Sequence, residues 1–574
     1  MRMHTAAMIR LRVPDSLFLV TMILGVVIPT TVVVGQAESK EPPTPPNILL
    51  IMADDLGFSD LGCYGAEIQT PNLDALAAGG LRYTQFHNTA RCWPTRAALL
   101  TGYYAQQVRR DKLPGLARGN RPDWAPLVTE ALGAGGYRCY HTGKWHIDGM
   151  PLGNGFHHSY YLKDQGRFFS PKTHWLDDVK QPPVERDTGF YATTALADHA
   201  VRVLKDHAAN HRDAPFFHYL AFAAPHFPLH ALPEDIKVYE KMYDEGWEVH
   251  RERRWARQQE LGLFPSNTKL SAVEAKVGPP YPFPDAIKQL GPGETNLPLP
   301  WAELTPQQRA FQAKKMALHA AMIHRMDIEI GRVLTQLRAM DAFDNTLIVF
   351  LSDNGASAEI MVRDDGHDPK APMGSAPTYL CLGPGWSSAC NTPFRRHKTW
   401  VHEGGSATPL VMHWPAGITA RGELRHGAVG HVIDMVPTIL ELAELQTPSV
   451  GLSTEPIAAT EPMPGTSLVP TFAGDLGLGS RKLWWAHDGH RAFRDGDWKL
   501  VALDGGDWEL YDLANDPTEQ VDVAGVLPER VQELAQAWQI RANHFVKLVG
   551  GQSQVKPGPV GGRGRGKRGA ASSK

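Results

Sequence analysis

Short apolar runs punctuate the chain at residues 48–52, 137–140, 216–222, 347–351 and 410–414, each closed by polar residues. Runs without alternation predict strands buried on both faces, as in a parallel sheet. Between them, apolar positions recur at helical spacing. The longest such stretch opens at Thr305, with Pro306 at the first helical position and Gln308 placed to complete a capping box. Phe311, Ile323, Ile330, Leu334 and Leu337 continue it. Strands alternating with helices predict an α/β domain over residues 47–465, with a large, mostly parallel sheet flanked by helices. Residues 246–304 break this rhythm and read as an insertion. Within it, Arg251-Glu252-Arg253-Arg254 predicts a solvated helix face, and Pro279, Pro280, Pro282 and Pro284 mark loop. After Trp484 the runs shorten to 491–494, 498–501 and 508–511, split by Asp-Gly and Gly-Gly turns. A helix over 528–548 follows. Residues 480–548 thus predict a smaller domain, an antiparallel sheet plus one helix.

The two ends differ from the middle. Arg2, Arg10 and Arg12 precede an apolar run over 17–34, and Gly35-Gln36-Ala37 offers small residues for cleavage. Residues 1–37 therefore predict a signal peptide and an exported protein, periplasmic or extracellular. The run approaches the roughly 17–25 residues of a membrane anchor, but Thr21, Pro29, Thr30 and Thr31 weaken it as a span, so no stable membrane span is expected after cleavage. Residues 549–574 are Gly-rich and basic without an acid, a composition that cannot pack a core.

The chain has 574 residues, 43% hydrophobic, with a net charge of −3. That length exceeds one comfortable core and favours two domains. The near-neutral balance argues against nucleic acid as the main partner. Five cysteines, Cys63, Cys92, Cys139, Cys381 and Cys390, are too few for a disulfide scaffold, although Cys381 and Cys390 flank a Gly-Pro-Gly loop and could bridge.

The chemistry gathers where the apolar runs end. The first run ends in Asp54-Asp55, and the run at 347–351 leads to Asp353-Asn354-Gly355. The run at 137–140 leads to Lys144-Trp145-His146, and the run at 216–222 to Pro225-His226. Ligands of open α/β sheets bind beyond the carboxyl ends of the strands, so these groups can converge. Asp54, Asp55, Asp353 and Asn354 offer only oxygen, which suits Ca²⁺ or Mg²⁺ rather than zinc. Lys144 and His146, two residues apart, point the same way if that segment is extended. His157, His158 and His230 read as structural. Lys398 lies in a basic run before Glu403-Gly404-Gly405. Cys92-Trp93-Pro94-Thr95-Arg96 precedes Leu100-Thr101-Gly102. Residues 95–101 predict a helix with Cys92 just ahead of it, and unpaired N–H groups at a helix start suit an anion.

These stretches, in this order, together with Thr70-Pro71-Asn72-Leu73-Asp74, resemble the type I formylglycine sulfatases, close to bacterial arylsulfatases. The resemblance spans about residues 47–535 and implies an alkaline-phosphatase-like fold. It implies hydrolysis of sulfate monoesters, aryl or carbohydrate, with Cys92 oxidised to formylglycine (3-oxoalanine) by a formylglycine-generating enzyme. It places a divalent cation, most often Ca²⁺, on Asp54, Asp55, Asp353, Asn354 and residue 92. Arg96 would stabilise the hydrate, Lys144 and Lys398 would hold sulfate oxygens, His146 would serve the hydrate, and His226 would protonate the leaving alcohol. A formylglycine-dependent phosphonate monoester or phosphodiester hydrolase, and a non-catalytic sulfated-glycan-binding relative, are the alternatives. Trp93 departs from the small residue many relatives carry after the cysteine. Aromatic-rich loops at 145–156, 167–175 and 386–400 add a sulfated sugar to the expectation.

Overall fold

The structure is a computed structural model that describes residues 45–281, 283–446 and 461–550. The predicted signal peptide and the basic tail beyond Gly550 lie outside them. The described residues belong to one compact unit. None of their helices is long and apolar enough to cross a membrane.

A ten-stranded mixed sheet forms the centre. Four parallel neighbours make its middle: Thr346–Ser352, Asn47–Ala53, Phe216–Ala221 and Arg138–Gly143. Leu410–His413 joins Thr346–Ser352 antiparallel, and His174–Leu176 joins His158–Leu162 antiparallel. Register fixes the site. Ala53 pairs with Ser352, while Met52 and Gly143 both pair with Ala221. The residues after these strands therefore leave the sheet along one edge.

Strand Asn47–Ala53 shows why its run is continuously apolar. Leu49 and Ile51 face one core with the helices Pro306–Ala339 and Ala192–Asn210. Ile48, Leu50 and Met52 face a second core with the helices Cys92–Thr101, Met435–Leu442 and Pro528–Leu548. Each fully buried side chain of this kind is worth about 1.5–3 kcal/mol of transfer free energy. Thr305 and Gln308 form the capping box expected of the long helix.

The small antiparallel sheet runs Lys482–His487, His490–Asp495, Trp498–Ala502, Glu509–Asp512. Its first strand escaped the sequence reading. Trp484 stacks on Trp538 at 5.6 Å, and Trp485 Nε1 donates to the Asn88 carbonyl at 2.8 Å. The sheet thus shares a core with the large one.

Three expectations are corrected. The insertion helix Trp247–Glu260 exposes Glu252 and Arg253 but buries Arg251 and Arg254. Their guanidiniums satisfy inner carbonyls and carboxylates: Arg251 donates to Ser271 and Ser388, Arg254 to Asp60 and Glu67. Cys381 and Cys390 are free thiols, the first directed at the Met361 carbonyl and the second at the Met316 sulfur. Cys92 is not ahead of its helix but begins it, after an extended Arg91.

Candidate active site

Asp54 and Asp55 follow one central strand, and Asp353 and Asn354 follow its parallel neighbour. Asp55 adopts φ 67°, a bend that turns its side chain off the strand direction. Asn354 Nδ2 donates to Asp55 Oδ1 at 2.8 Å, and the Asp55 amide donates to Asp353 Oδ1 at 3.4 Å. Three buried oxygens beside these contacts, Asp54 Oδ1, Asp55 Oδ2 and Asn354 Oδ1, receive no hydrogen bond. Leaving a buried acceptor unsatisfied costs on the order of 1–3 kcal/mol, more when it is charged. Acceptor-only oxygens converging in this way fit a hard divalent cation.

The surrounding cations balance these acids. Arg96 donates from Nε and Nη2 to Asp353 Oδ2 at 2.9 and 2.7 Å. Its Nη1 reaches the Lys144 carbonyl and the Tyr219 hydroxyl. Lys144 Nζ bonds Asp54 Oδ2. Lys398 Nζ lies 2.6 Å from Asp55 Oδ1 and 3.3 Å from Glu359 Oε2. An ammonium has three donors, so each lysine keeps hydrogens for a further oxyanion.

Burial opposes ionisation of Asp54, but Lys144, His226, Arg96 and Lys398 together hold its carboxyl well below the ordinary range. Burial and the adjacent Asp54 charge push Asp353 the other way, up to about 7. Burial raises the Cys92 thiol, and the positive charges of Lys144 and Lys398 counter that in part. Cys92, Asp54 and Asp353 can direct their ligand atoms to one point, as can Asp54, Asp55 and His226.

His226 Nδ1 contacts the Phe227 carbonyl at 2.5 Å, and its Nε2 faces Asp55 Oδ2 at 3.8 Å. A carbonyl only accepts, so Nδ1 carries a hydrogen and Nε2 is the atom that gains or loses a proton. Burial lowers His226 to about 4, against the pull of Asp55 and Asp54. His146 lies among the same charges, and burial, then Lys144 and Arg96, lowers it. The segment before it is not extended: Gly143 has φ 115° and His146 φ 58°. Lys144 and His146 therefore come together through turns, not through a two-residue repeat. The His146 ring has a buried Nδ1 without a partner.

All ten residues anticipated from sequence thus meet at one edge of the sheet. Two more belong with them. Glu359, fully enclosed, accepts from Arg91 at 3.2 Å and pairs with Lys398. The lysine, then Arg91, overcome its burial and lower its carboxyl to about 2. Glu359 stands in a loop without a flanking apolar run, so nothing in the sequence singled it out.

The mostly parallel sheet thus carries acids, lysines and a helix-borne residue 92 along its carboxyl edge. A family profile described as Sulfatase matches residues 46–445. An uncharacterized sulfatase of Schizosaccharomyces pombe is 31% identical, over 88% of this chain and 94% of its own. An arylsulfatase of Klebsiella aerogenes is 32% identical over 74% and 91%. A solved structure in complex with its substrate D-glucosamine-2-N,6-O-disulfate superposes with TM-score 0.60 at 19% identity, over 88% of this chain and 99% of that one. The chain belongs to the sulfatase family and is a sulfuric ester hydrolase. That family generally uses formylglycine and a divalent metal.

Proposed function

We propose that Cys92 is converted to formylglycine and that the protein, exported to the periplasm or beyond, hydrolyses sulfate esters of sugars, aryl sulfates serving as reporters. The observation that carries this reading is the set of orphaned oxygens on Asp54, Asp55 and Asn354, beside residue 92 and two lysines. Asp54, Asp55, Asp353 and Asn354, with residue 92, would hold Ca²⁺, which when bound neutralises ester oxygens and acts as a Lewis acid. Cys92 Sγ stands where the hydrate oxygens would lie. A hydrate supplies one hydroxyl to attack sulfur and a second to expel sulfate, which a serine or thiol lacks.

This chain's own residues then have separable tasks. Lys144 and Lys398 hold the ester's oxygens and stabilise the charge that develops on them. Arg96, locked by Asp353 and Tyr219, aims its fixed charge at residue 92. His226 Nε2 gives a proton to the departing alcohol, and His146 takes one from the hydrate. The start of helix Cys92–Thr101 adds its unpaired N–H groups toward an anion. N-acetylgalactosamine-6-sulfatases at 28% identity, and the aromatic loops, support a sugar.

The test is the mass of the peptide spanning Cys92 from protein co-produced with a formylglycine-generating enzyme, read with 4-nitrophenyl sulfate hydrolysis. An aldehyde mass with turnover is expected. An unmodified thiol, with a control sulfatase fully converted in the same host, would sink the reading. Secretion is tested separately, by whether the mature N-terminus follows Ala37.

A further inference from the structure

Residues 109–121 come after the helix of Cys92 and carry Arg109, Arg110, Lys112, Arg118 and Arg121 with one acid, Asp111. Most of this charge is balanced. Arg110 and Arg121 share Asp148 at 3.3 and 2.9 Å, and Lys112 pairs with Asp488 at 2.9 Å. Asp111 is taken by Trp93 Nε1 and by His487. Arg109 and Arg118 have no carboxylate within 4.0 Å among the described residues.

These two guanidiniums are nonetheless ordered. Arg118 is exposed, with its guanidinium carbon 5.1 Å from the centroid of the Trp93 ring. The Arg109 carbonyl accepts from the Gly119 amide at 2.8 Å, and a side chain on Gly119 would begin only 2.6 Å from Arg109 Nη2. The Arg109 head group thus lies against the residue next to Arg118, and its Nε is buried without a partner. Neighbouring like charges repel unless an anion offsets them. A guanidinium over an aromatic face can still turn its donors outward to an anion.

The location gives the anion a source. Trp93 directly follows residue 92. Arg91 lies 5.1 Å from the Trp93 ring and 5.4 Å from Tyr281, which the insertion supplies. Arg91 also donates to Glu359, which pairs with Lys398 of the centre, so Trp93 and Tyr281 adjoin the site through Arg91, and exposed Arg118 lies over the same Trp93 ring.

We propose that Arg118 and Arg109 form a subsite for a second oxyanion, a sulfate ester or carboxylate, on the alcohol portion of a sulfated saccharide. The assignment rests on residue 92 being the point of attack. The substrate class it names is a saccharide with at least two negative groups, one cleaved and one read.

Heparin disaccharides with one, two or three sulfates are the probes, measured as competitive inhibitors of 4-nitrophenyl sulfate hydrolysis. In the unaltered protein the inhibition constant should fall with each added sulfate, and the effect should fade with salt. Arg118→Ala should raise the constant of the trisulfated compound by about tenfold, the worth of one charge-assisted contact. It should leave the monosulfated compound and 4-nitrophenyl sulfate turnover within about twofold, with Arg118→Lys in between. Equal inhibition of Arg118→Ala, no inhibition by any disaccharide, or an equal loss with 4-nitrophenyl sulfate overturns the subsite. Calorimetric titration of Cys92→Ser protein with the same disaccharides reads binding without turnover. Charge-dependent binding there that Arg118→Ala removes upholds the subsite even if hydrolysis fails, whereas its absence overturns it.

Discussion

Two buried clusters of this molecule use nearly the same parts and reach opposite ends. One joins Asp60, His319 and Cys390, the other Asp54, Cys92 and Asp353, and each can bring three ligand atoms to one point. In the first, Asp60 Oδ1 accepts from Arg254 at 2.7 Å, while Oδ2 accepts from His319 at 3.0 Å and the Gly57 amide at 2.9 Å. Arg254 also spans both oxygens of Glu67. Every carboxylate oxygen there has a donor. Around the second cluster three oxygens have none. The residue types are common to structure and chemistry. The two clusters are separated by whether their carboxylate oxygens all find donors.

The strongest test of that contrast is residue 92 itself. Cys92→Ser should fold, with an unchanged melting temperature, and lose steady-state turnover by about 10³-fold or more, as expected when a nucleophile that must release its product is replaced. Multiple turnovers by purified Cys92→Ser protein would refute the role. Cys390→Ser, in the closed cluster, should leave turnover intact.

Next is the response to a cation. Ca²⁺ at about a hundred times its dissociation constant should stabilise the protein by about 2.7 kcal/mol, and chelation should remove both this gain and activity. Asp54→Asn should abolish the Ca²⁺ gain. Asp60→Ala should destabilise by about 1–3 kcal/mol, because it leaves His319 and one nitrogen of Arg254 without their acceptor, yet keep the Ca²⁺ gain. A Ca²⁺ response that disappears with Asp60 and survives without Asp54 would reverse the comparison.

A smaller effect concerns the link between the centre and its rim. Glu359→Gln removes the charge that Arg91 and Lys398 share, without removing volume. It should lower kcat/KM for 4-nitrophenyl sulfate by about tenfold, with Glu359→Asp recovering part of it. An unchanged kcat/KM would show that Lys398 is held by Asp55 alone.

Much of the fold and the centre was legible in the chain. Strand ends such as Ala53 and Ser352 could be read because a strand buried on both faces is one apolar run, and the polar residues after parallel neighbours must leave the sheet at the same edge. The motif around Cys92 carried the rest. Glu359 and Arg91 were not legible, because a buried ion pair across 268 positions leaves no periodicity. The buried Arg251 and Arg254 were misread for a related reason. A charged tetrapeptide looks solvated until the fold supplies carbonyls and carboxylates inside, and alternate helix faces then divide it. His146 reached the site by positive φ angles that a pattern of period two cannot express.

The least effect is expected where a third cluster adjoins the rim. His487 is enclosed, its Nδ1 2.8 Å from Asp111 and its Nε2 3.3 Å from Asp488, with its ring edge-on to Trp93 at 5.1 Å. Burial disfavours its charge, but Asp111 and then Asp488 outweigh that and raise its pKa. Linkage sets the sign. A histidine whose folded pKa is raised contributes fully below its unfolded value of about 6.5, and the contribution is lost as pH rises through the folded value. The melting temperature of His487→Gln should therefore lie further below that of the unaltered protein at pH 6 than at pH 9, by about a degree or two. A gap that stays constant, or widens toward alkaline pH, would mean that His487 is held neutral. Trp93 would then lean on a plain ring instead of a cation set between two acids.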